Sequence, residues 1–433
     1  MREVEAPRAC VVGLGYIGLP TAAVIARAGM EVLGVDVSEK VVETINRGEI
    51  HIEEVDLDGL VQAVVRSGAL RASTQIEAAE FFVIAVPTPF AKDGHHTPDL
   101  SYVMAAAREV AGVLKPSDTV ILESTSPVGT AEALRDVIAA ERPDLKLPGI
   151  AAGKADVAIA YCPERVLPGR ILLELTDNDR SIGGITPACA GKAAAFYKRF
   201  VRGECIVTDA RSAEMTKLVE NAYRDVNIAF ANELSIVADA MGLNVWEVIR
   251  LANRHPRVNI LNPGPGVGGH CIAVDPWFIV HGAMNETPLI QTARGVNDGK
   301  IRHVIARASA LADAHPGELV ACLGLAFKAN IDDFRESPAR LVAATLARKY
   351  GERVRVVEPY ASELPIEFTD TGASQLLLEE ALASCGVLVV LVDHDEFRRV
   401  QPEARAGKAV YDTRGIWPDQ RPATAADALR KAG

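Results

Sequence analysis

Residues 9–36 read ACVVGLGYIGLPTAAVIARAGMEVLGVD. Ala9–Gly13 is an apolar run that predicts a buried strand, Pro20–Ala28 has helical spacing, and Glu31–Asp36 predicts a second strand. Between strand and helix, Gly13, Gly15 and Gly18 fit G-x-G-x-x-G in the context this motif requires. The first glycine permits the tight turn. The second lets the backbone approach a pyrophosphate, and the third lets the helix pack close to the strand. The helix N-terminus then offers free N–H groups and partial positive charge to phosphates. Asp36 ends the second strand, where a carboxylate accepts hydrogen bonds from an adenosine ribose and repels a 2′-phosphate. NAD is therefore expected rather than NADP, although FAD uses the same fingerprint.

The strand–helix rhythm continues outward. Lys40–Asn46 predicts a helix, and Phe81–Val86, Thr119–Glu123 and Ala155–Tyr161 predict strands of a parallel sheet covered on both faces. VPTP (86–89) and ESTSPVGT (123–130) follow two of these strands, where a cofactor crevice forms. Thr88 is placed there to bond the nicotinamide ribose or a phosphate, but such segments are equally ordinary turns with a Ser/Thr helix cap. Ser212–Met241 holds no proline and has a period near 3.6. A helix of about 30 residues spans roughly 45 Å, enough to link two domains. Asn244–Asn253 predicts another helix, followed by the loop NPGPGVGG (262–269). Strands then return at Glu318–Gly324, Arg353–Val357, Val387–Val392 and Ala409–Asp412, with a helix at Ser337–Lys349. The expected fold class is α/β: two Rossmann-like, doubly wound parallel-sheet domains joined by a long central helix.

Composition bounds the function. The 433 residues carry 46 Lys+Arg against 57 Asp+Glu, a formal charge of −11 that argues against a nucleic-acid binder but allows a local cationic pocket. No eighteen-residue apolar window free of charge occurs, so no membrane partner is expected, and residues 1–5 (MREVE) lack the start of a signal peptide. The seven cysteines are scattered without C-x-x-C spacing, which predicts a reducing, cytoplasmic setting and no metal cluster.

Cys271 stands apart from the other six, just after the glycine-rich loop, where N–H groups or a cation can lower its pKa. On sequence alone it is as readily an inert thiol in a tight turn. A thiolate beside NAD points to aldehyde oxidation through a thiohemiacetal and a thioester, ending in a carboxylate. Lys217, Asn221 and Arg224 share one helix face, able to stabilise a developing alkoxide or simply to be solvated.

Taken together, VVGLGYIGLP (11–20), IAVPTPF (84–90), ESTSPVGT (123–130), YCPERVLPG (161–169), EMTKLVENAYRDVNIAFANE (214–233), GPGVGGHCIAVDPWF (264–278) and GLAFKANIDDFRESPA (324–339) resemble the nucleotide-sugar 6-dehydrogenases of the UDP-glucose/GDP-mannose dehydrogenase family. NRGEIHI (46–52) and residues 253–280 are similar to the UDP-N-acetyl-D-mannosamine dehydrogenases of bacterial surface-polysaccharide synthesis. The resemblance implies a four-electron oxidation of the C6 alcohol of UDP-N-acetyl-D-mannosamine to the uronate with two NAD. UDP-N-acetylglucosamine or UDP-glucose is the alternative substrate.

Carried over by position, the resemblance implies Cys271 as nucleophile, Lys217 as proton shuttle and oxyanion partner, Asp275 as helper of base chemistry through water, and Glu164 as an acid in thioester hydrolysis. NAD contacts fall on Tyr16, Ile17, Asp36, Thr88, Thr125 and, from the C-terminal domain, Arg335. Substrate contacts fall on Arg165, Val166, Asn221, Arg224, His255, Arg257, Gly268 and Lys328. Arg414 joins them at a position where lysine is frequent in close relatives; both are cations, but only arginine forks onto a phosphate. The implied organisation is an NAD-binding domain over 1–207, a central helical dimerisation domain over 208–314 and a UDP-binding domain over 315–433. A homodimer and an active site in the cleft between the domains are expected.

Overall fold

The computed structural model describes residues 8–150, 153–167, 169–269 and 271–417. The chain divides into two compact units. One runs up to Glu220 and takes back Trp277–Met284; the other holds Asn221–Pro276 and the chain from Asn285 onward.

The first unit is built on an eight-stranded sheet. Its strands are β1 (Arg8–Val12), β2 (Glu31–Val35), β3 (Leu70–Ser73), β4 (Phe81–Ile84), β5 (Thr119–Leu122), β6 (Ala158–Tyr161), β7 (Arg180–Gly184) and β8 (Cys205–Asp209), in the order 3-2-1-4-5-6-7-8. Its helices are α1 (Gly18–Arg27), α2 (Glu39–Asn46), α3 (Leu57–Arg66), α4 (Ser101–Ala111), α5 (Thr130–Glu141), α6 (Ile171–Asp177) and α7 (Pro187–Tyr197). Alternate residues of β1 serve opposite faces. Ala9 and Val11 join a core with Leu19 and Ile25 of α1, and Cys10 and Val12 join another with Val103 and Val110 of α4. Both faces are thus covered, as the apolar strands require.

The sheet is parallel from β3 to β6 and then reverses, because β7 pairs antiparallel to β6 and parallel to β8. Neither β7 nor β8 was expected. β7 ends on Gly183 and Gly184, a composition poor in strand signal, and β8 is a largely exposed edge strand. Trp277 belongs to this unit because its ring stacks on His96 at 4.4 Å, while Phe278 meets Phe90 edge-on.

The predicted long helix is α8 (Ala210–Ala240), 31 residues that run from the first unit into the second. The predicted helix after it is α9 (Val245–Ala252), capped by the Asn244 side chain. α10 (Asp275–Gly282) follows Cys271. α11 (Pro288–Asp313), 26 residues long, was not expected. Its buried positions include the polar Arg294, Asn297 and Lys300 in the first half and Val304, Ala308 and Ala312 in the second, so the apolar stripe covers only part of the hidden face.

The second unit's sheet has strands β9 (Val320–Leu323), β10 (Val354–Val357), β11 (Ser374–Gln375), β12 (Val387–Val390) and β13 (Ala409–Asp412), ordered 11-10-9-12-13 and parallel throughout. Its helices are α12 (Pro338–Tyr350), α13 (Leu378–Ser384) and α14 (Asp395–Arg398). This order repeats 3-2-1-4-5 of the first sheet, and so does its opening turn. Gly13 (φ +92°) donates to Val35 O at 2.7 Å, and Gly324 (φ +95°) donates to Val357 O at 2.8 Å. The next N–H goes to the acid ending the neighbouring strand: Leu14 to Asp36 Oδ2 at 3.0 Å, and Leu325 to Glu358 Oε2 at 2.6 Å.

At Gly18 a Cβ would lie 1.7 Å from the Gly13 carbonyl oxygen. Gly18→Ala must therefore push α1 off the turn. It is expected to lower stability by about 1–3 kcal/mol in urea unfolding and to weaken NAD binding in titration calorimetry. Glu214, buried near the start of α8, takes the N–H groups of Gly129 (2.6 Å) and Ala131 (2.8 Å) at the start of α5. Burial outweighs these donors and raises its carboxyl from 4.5 to about 7. The native protein thus holds this proton more tightly than the unfolded chain does. The contribution is complete below about pH 4.5 and is lost as pH rises through about 7, with a steepest slope near 1.4 kcal/mol per pH unit. Thermal melts of Glu214→Gln should show a flatter pH dependence across that window than those of the parent.

Candidate active site

The glycine turn and the neighbouring strand ends form one group of candidate residues in the first unit. A Cβ at Gly15 would meet no atom within 4 Å, so the space a pyrophosphate needs is open. No side chain caps the start of α1, although the Leu19 N–H is taken by Gly15 O at 3.1 Å and Pro20 has none to offer. Tyr16 is 39% exposed and Ile17 half-buried beside this opening. The Asp36 carboxylate is oriented by Leu14 N–H (3.0 Å) and Ser38 N–H (2.9 Å) and stays half-buried, with acceptor capacity left for a ribose. These features fit NAD. Thr88 Oγ1 donates to Thr125 O at 2.6 Å and Ser124 Oγ to Val86 O at 2.6 Å, so the two polar segments after β4 and β5 are tied together. The Thr88 oxygen keeps its acceptor positions.

Under these segments lies a buried network that sequence reasoning missed. Tyr197 Oη donates to Glu123 Oε1 at 2.7 Å, and Thr21 of α1 donates to Glu123 Oε2 at 3.4 Å. Arg180 lies 5.4 Å over the Tyr197 ring and donates to Leu175 O at 3.1 Å. Burial raises the Glu123 carboxyl against the pull of Arg180. Glu123 and Arg180 are nearly hidden from solvent, at 1% and 2%. Single polar letters inside apolar strands carry no signal of this.

Glu164 and Lys217, assigned separate roles by the resemblance, meet in the first unit. Lys217 Nζ lies 3.2 Å from Glu164 Oε1 and 3.0 Å from the Glu164 carbonyl oxygen, and both side chains are buried. The other oxygen of Glu164 takes the Val166 N–H at 3.0 Å, so the carboxylate is fixed at both ends. Arg165 Nη1 binds Glu220 at 2.8 Å, and its Nη2 donates to the Asp179 carbonyl. This guanidinium is committed to its own unit.

Cys271 is exposed, whereas five of the other cysteines are buried and Cys205 is half-buried. Its carbonyl takes the N–H groups of Val274 (3.1 Å) and Asp275 (2.9 Å), a turn that leads into α10. Asp275 is 2% exposed, and its Oδ2 takes the Asn221 amide at 2.6 Å. Gly268 packs where a Cβ would stand 2.6 Å from both Glu336 O and Pro338 Cδ, and the Phe327 ring lies against Gly269. Arg224, His255 and Arg257 are exposed. His255 Nδ1 takes the Arg257 N–H at 3.3 Å, which leaves Nε2 as that ring's other hydrogen-bonding nitrogen.

In the second sheet the turn after Gly324 does not close into a helix at once. The chain from Leu325 to Ser337 intervenes before α12 and carries Lys328 and Arg335. Lys328 is half-buried, and Arg335 is exposed and bidentate to Asp333 at 2.6 and 2.8 Å. Glu358, at the place Asp36 holds in the first sheet, is closed off. It takes Leu325, Ala326 and Tyr360 N–H groups and pairs with His394 at 3.3 Å, at 3% exposure. Burial by itself would raise its carboxyl, yet the His394 bond and the N–H donors hold it below the ordinary value. That carboxylate is unavailable to a ribose, so the two sheets offer nucleotides different chemistry. Arg414 is held by Asp393 (2.7 and 2.9 Å), and its Nη1 lies 2.6 Å from where a Cβ on Gly264 would stand.

Comparison with known proteins matches three family models in order: the NAD-binding domain of the UDP-glucose/GDP-mannose dehydrogenase family over residues 7–201, its central domain over 211–299 and its UDP-binding domain over 321–419. An NDP-N-acetyl-D-galactosaminuronic acid dehydrogenase of Ralstonia nicotianae is 56% identical, with 95% of this chain and 96% of that one covered. A UDP-N-acetyl-D-mannosamine dehydrogenase of Escherichia coli is 54% identical, with 94% and 98% covered. Among solved structures, a UDP-D-ManNAc dehydrogenase of Pyrococcus horikoshii superposes with a TM-score of 0.85 at 35% identity, covering 96% of this chain and 98% of that one. The three models together span most of the chain, and the chain belongs to the UDP-glucose/GDP-mannose dehydrogenase family.

Proposed function

We propose that the protein oxidises the C6 alcohol of UDP-N-acetyl-D-mannosamine to the uronate, by a covalent route through Cys271, as a step toward a bacterial surface polysaccharide. The observation that carries the reading is the exposure of Cys271, alone among seven cysteines, on a loop fixed beside Asp275. Bound NAD supplies the hydride acceptor, two molecules taking up four electrons per sugar. The alcohol first loses a hydride and a proton to become an aldehyde. The Cys271 thiolate adds to the aldehyde carbon, and the resulting thiohemiacetal loses a second hydride and proton to become a thioester. Water cleaves the thioester, releasing the carboxylate and the thiol.

Lys217 donates to the oxygen on which negative charge develops, and Glu164, held by Lys217 and Val166, handles the proton of the hydrolytic water. Asp275, oriented by Asn221, assists through water. Thr125 places water or the nicotinamide end. Gly13, Gly15, Tyr16, Ile17, Gly18, Asp36, Thr88 and Arg335 hold the cofactor. Lys328, Arg414, Arg224 and Arg257 meet the diphosphate, with Arg165, Val166, His255 and Gly268 completing the substrate contacts.

The division into 1–207, 208–314 and 315–433 follows these roles. The UDP-N-acetyl-D-mannosamine dehydrogenases at 54% identity support the sugar chosen, and the Ralstonia relative at 56% supports a second reading, the N-acetylgalactosamine sugar. No helix of the described residues is long and apolar enough to cross a membrane. All seven cysteines are free, as in a reducing cytoplasm. A homodimer through α8 is supported by Val219, Tyr223, Phe230, Val237 and Met241, exposed at 45–68% on one stripe of the helix.

Incubation with a panel of UDP-sugars, counting NADH and weighing product, should give two NADH per sugar and a uronate with UDP-N-acetyl-D-mannosamine. UDP-N-acetylgalactosamine as the sole good substrate would select the second reading, and one NADH per sugar would remove the covalent route. Cys271→Ala should lower uronate formation by about 10³-fold or more, since the covalent step has no substitute. Phe230→Glu is expected to shift the mass seen by light scattering from dimer to monomer.

A further inference from the structure

Cys271 is strung between two anchors, and both lie on α8. Upstream, Gly264 N–H donates to Asn232 Oδ1 at 3.0 Å. Downstream, Asn221 Nδ2 donates to Asp275 Oδ2 at 2.6 Å. Asn221 and Asn232 are three helical turns apart and share one face, with Asp225 between them. Two residues of α11 brace that face. Asn232 Nδ2 donates to Asn297 Oδ1 at 2.9 Å, and Asn297 Nδ2 donates to Asp225 Oδ1 at 2.8 Å and to the Asp225 carbonyl at 3.1 Å. Arg294 Nη1 then binds Asp225 Oδ1 at 2.6 Å. Asp225, Asn232 and Asn297 are fully buried, and Arg294 is 3% exposed.

The direction of this chain is fixed at both ends. The Gly264 N–H can only donate, so Asn232 must turn its carbonyl toward the loop and its NH₂ toward α11. The Asp225 carboxylate, paired with a guanidinium, can only accept, so Asn297 must turn its NH₂ that way. Each amide has one allowed orientation, and a carboxylate in place of Asn297 would face Asp225 with no proton to share. Two helices could be joined by apolar packing at no cost in desolvation. A buried polar chain that leaves the helix pair and ends on a loop backbone N–H specifies where that loop sits.

We infer that Asn297 and Asn232 are positioning residues for Cys271: acting through the Gly264 backbone, they set the place of the sulfur without touching substrate. The inference rests on the reading of Cys271 as the nucleophile. Misplacing a reacting atom by about 1 Å costs up to 10²-fold in rate, while ground-state binding elsewhere is unaffected.

The experiment compares Asn297→Ala and Asn232→Ala with Val304→Ala, a truncation in the hydrophobic core on the same helix α11, about two turns beyond Asn297. Steady-state rates are measured on the UDP-sugar the panel selects, and amide exchange is followed by mass spectrometry over residues 262–275. Both asparagine variants should lose at least about tenfold in kcat, with KM for sugar and NAD within about twofold, and should exchange faster across 262–275. Val304→Ala should lower Tm and change neither readout. Asn232→Ala, which breaks the chain next to the loop, keeps the test open if Asn297→Ala does not fold. Unchanged kcat in the asparagine variants, or changes matched by Val304→Ala, would overturn the inference. Full uronate formation by Cys271→Ala would instead overturn the reading beneath it; an inert Cys271→Ala beside a fully active Asn297→Ala removes this inference alone.

Discussion

Each sheet opens with the same pair of hydrogen bonds, and the chemistry of each nucleotide-type turn depends on it. Gly13 and Leu14 give their N–H groups to the end of β2, and Gly324 and Leu325 give theirs to the end of β10. A positive φ at the glycine aims two successive N–H groups at the neighbouring strand, a geometry that costs an L-residue strain and glycine almost none. The use of each turn is decided by the chain that leaves it. Gly15 and Gly18 bring α1 directly onto the first turn, with open space beside Gly15. After Gly324 the chain delays its helix until Pro338, and the intervening loop carries the half-buried Lys328 and an Arg335 held by Asp333.

The acids after β2 and β10 make the same point. Asp36 keeps part of its surface open, whereas Glu358 is one methylene longer and reaches back to three N–H groups and His394. The first can serve a ribose. The second is spent on its own loop, so a repeated topology does not carry a repeated ligand.

The helix α8 departs from ordinary amphipathicity. Along one face it buries Glu214, Lys217, Asn221, Asp225 and Asn232, and along another it exposes Tyr223, Phe230 and Met241. Burying so many polar side chains is tolerable because each has a partner: Glu214 has N–H groups, Lys217 has Glu164, Asn221 has Asp275 and Asp225 has Arg294, although Asp225 Oδ2 is left without a hydrogen-bond partner among the described residues.

The sequence by itself determined the alternating α/β architecture, the cofactor turn with Asp36, the long helix and the distinct setting of Cys271. Each of these is local: apolar period, glycine spacing and turn composition are written in consecutive residues. Lys217 and Glu164 were legible as candidates through the family resemblance, and the structure brings them to 3.2 Å. Only the tertiary structure decided the reversal of β7, the existence of α11, the Glu123–Tyr197–Arg180 network and the amide chain from Gly264 to Arg294. Those features consist of polar residues satisfied by partners distant along the chain, such as Asn232 with Asn297, 65 positions apart. A buried polar side chain looks like a solvated one until its partner is placed, because hydrogen-bond satisfaction belongs to the pair and not to the residue.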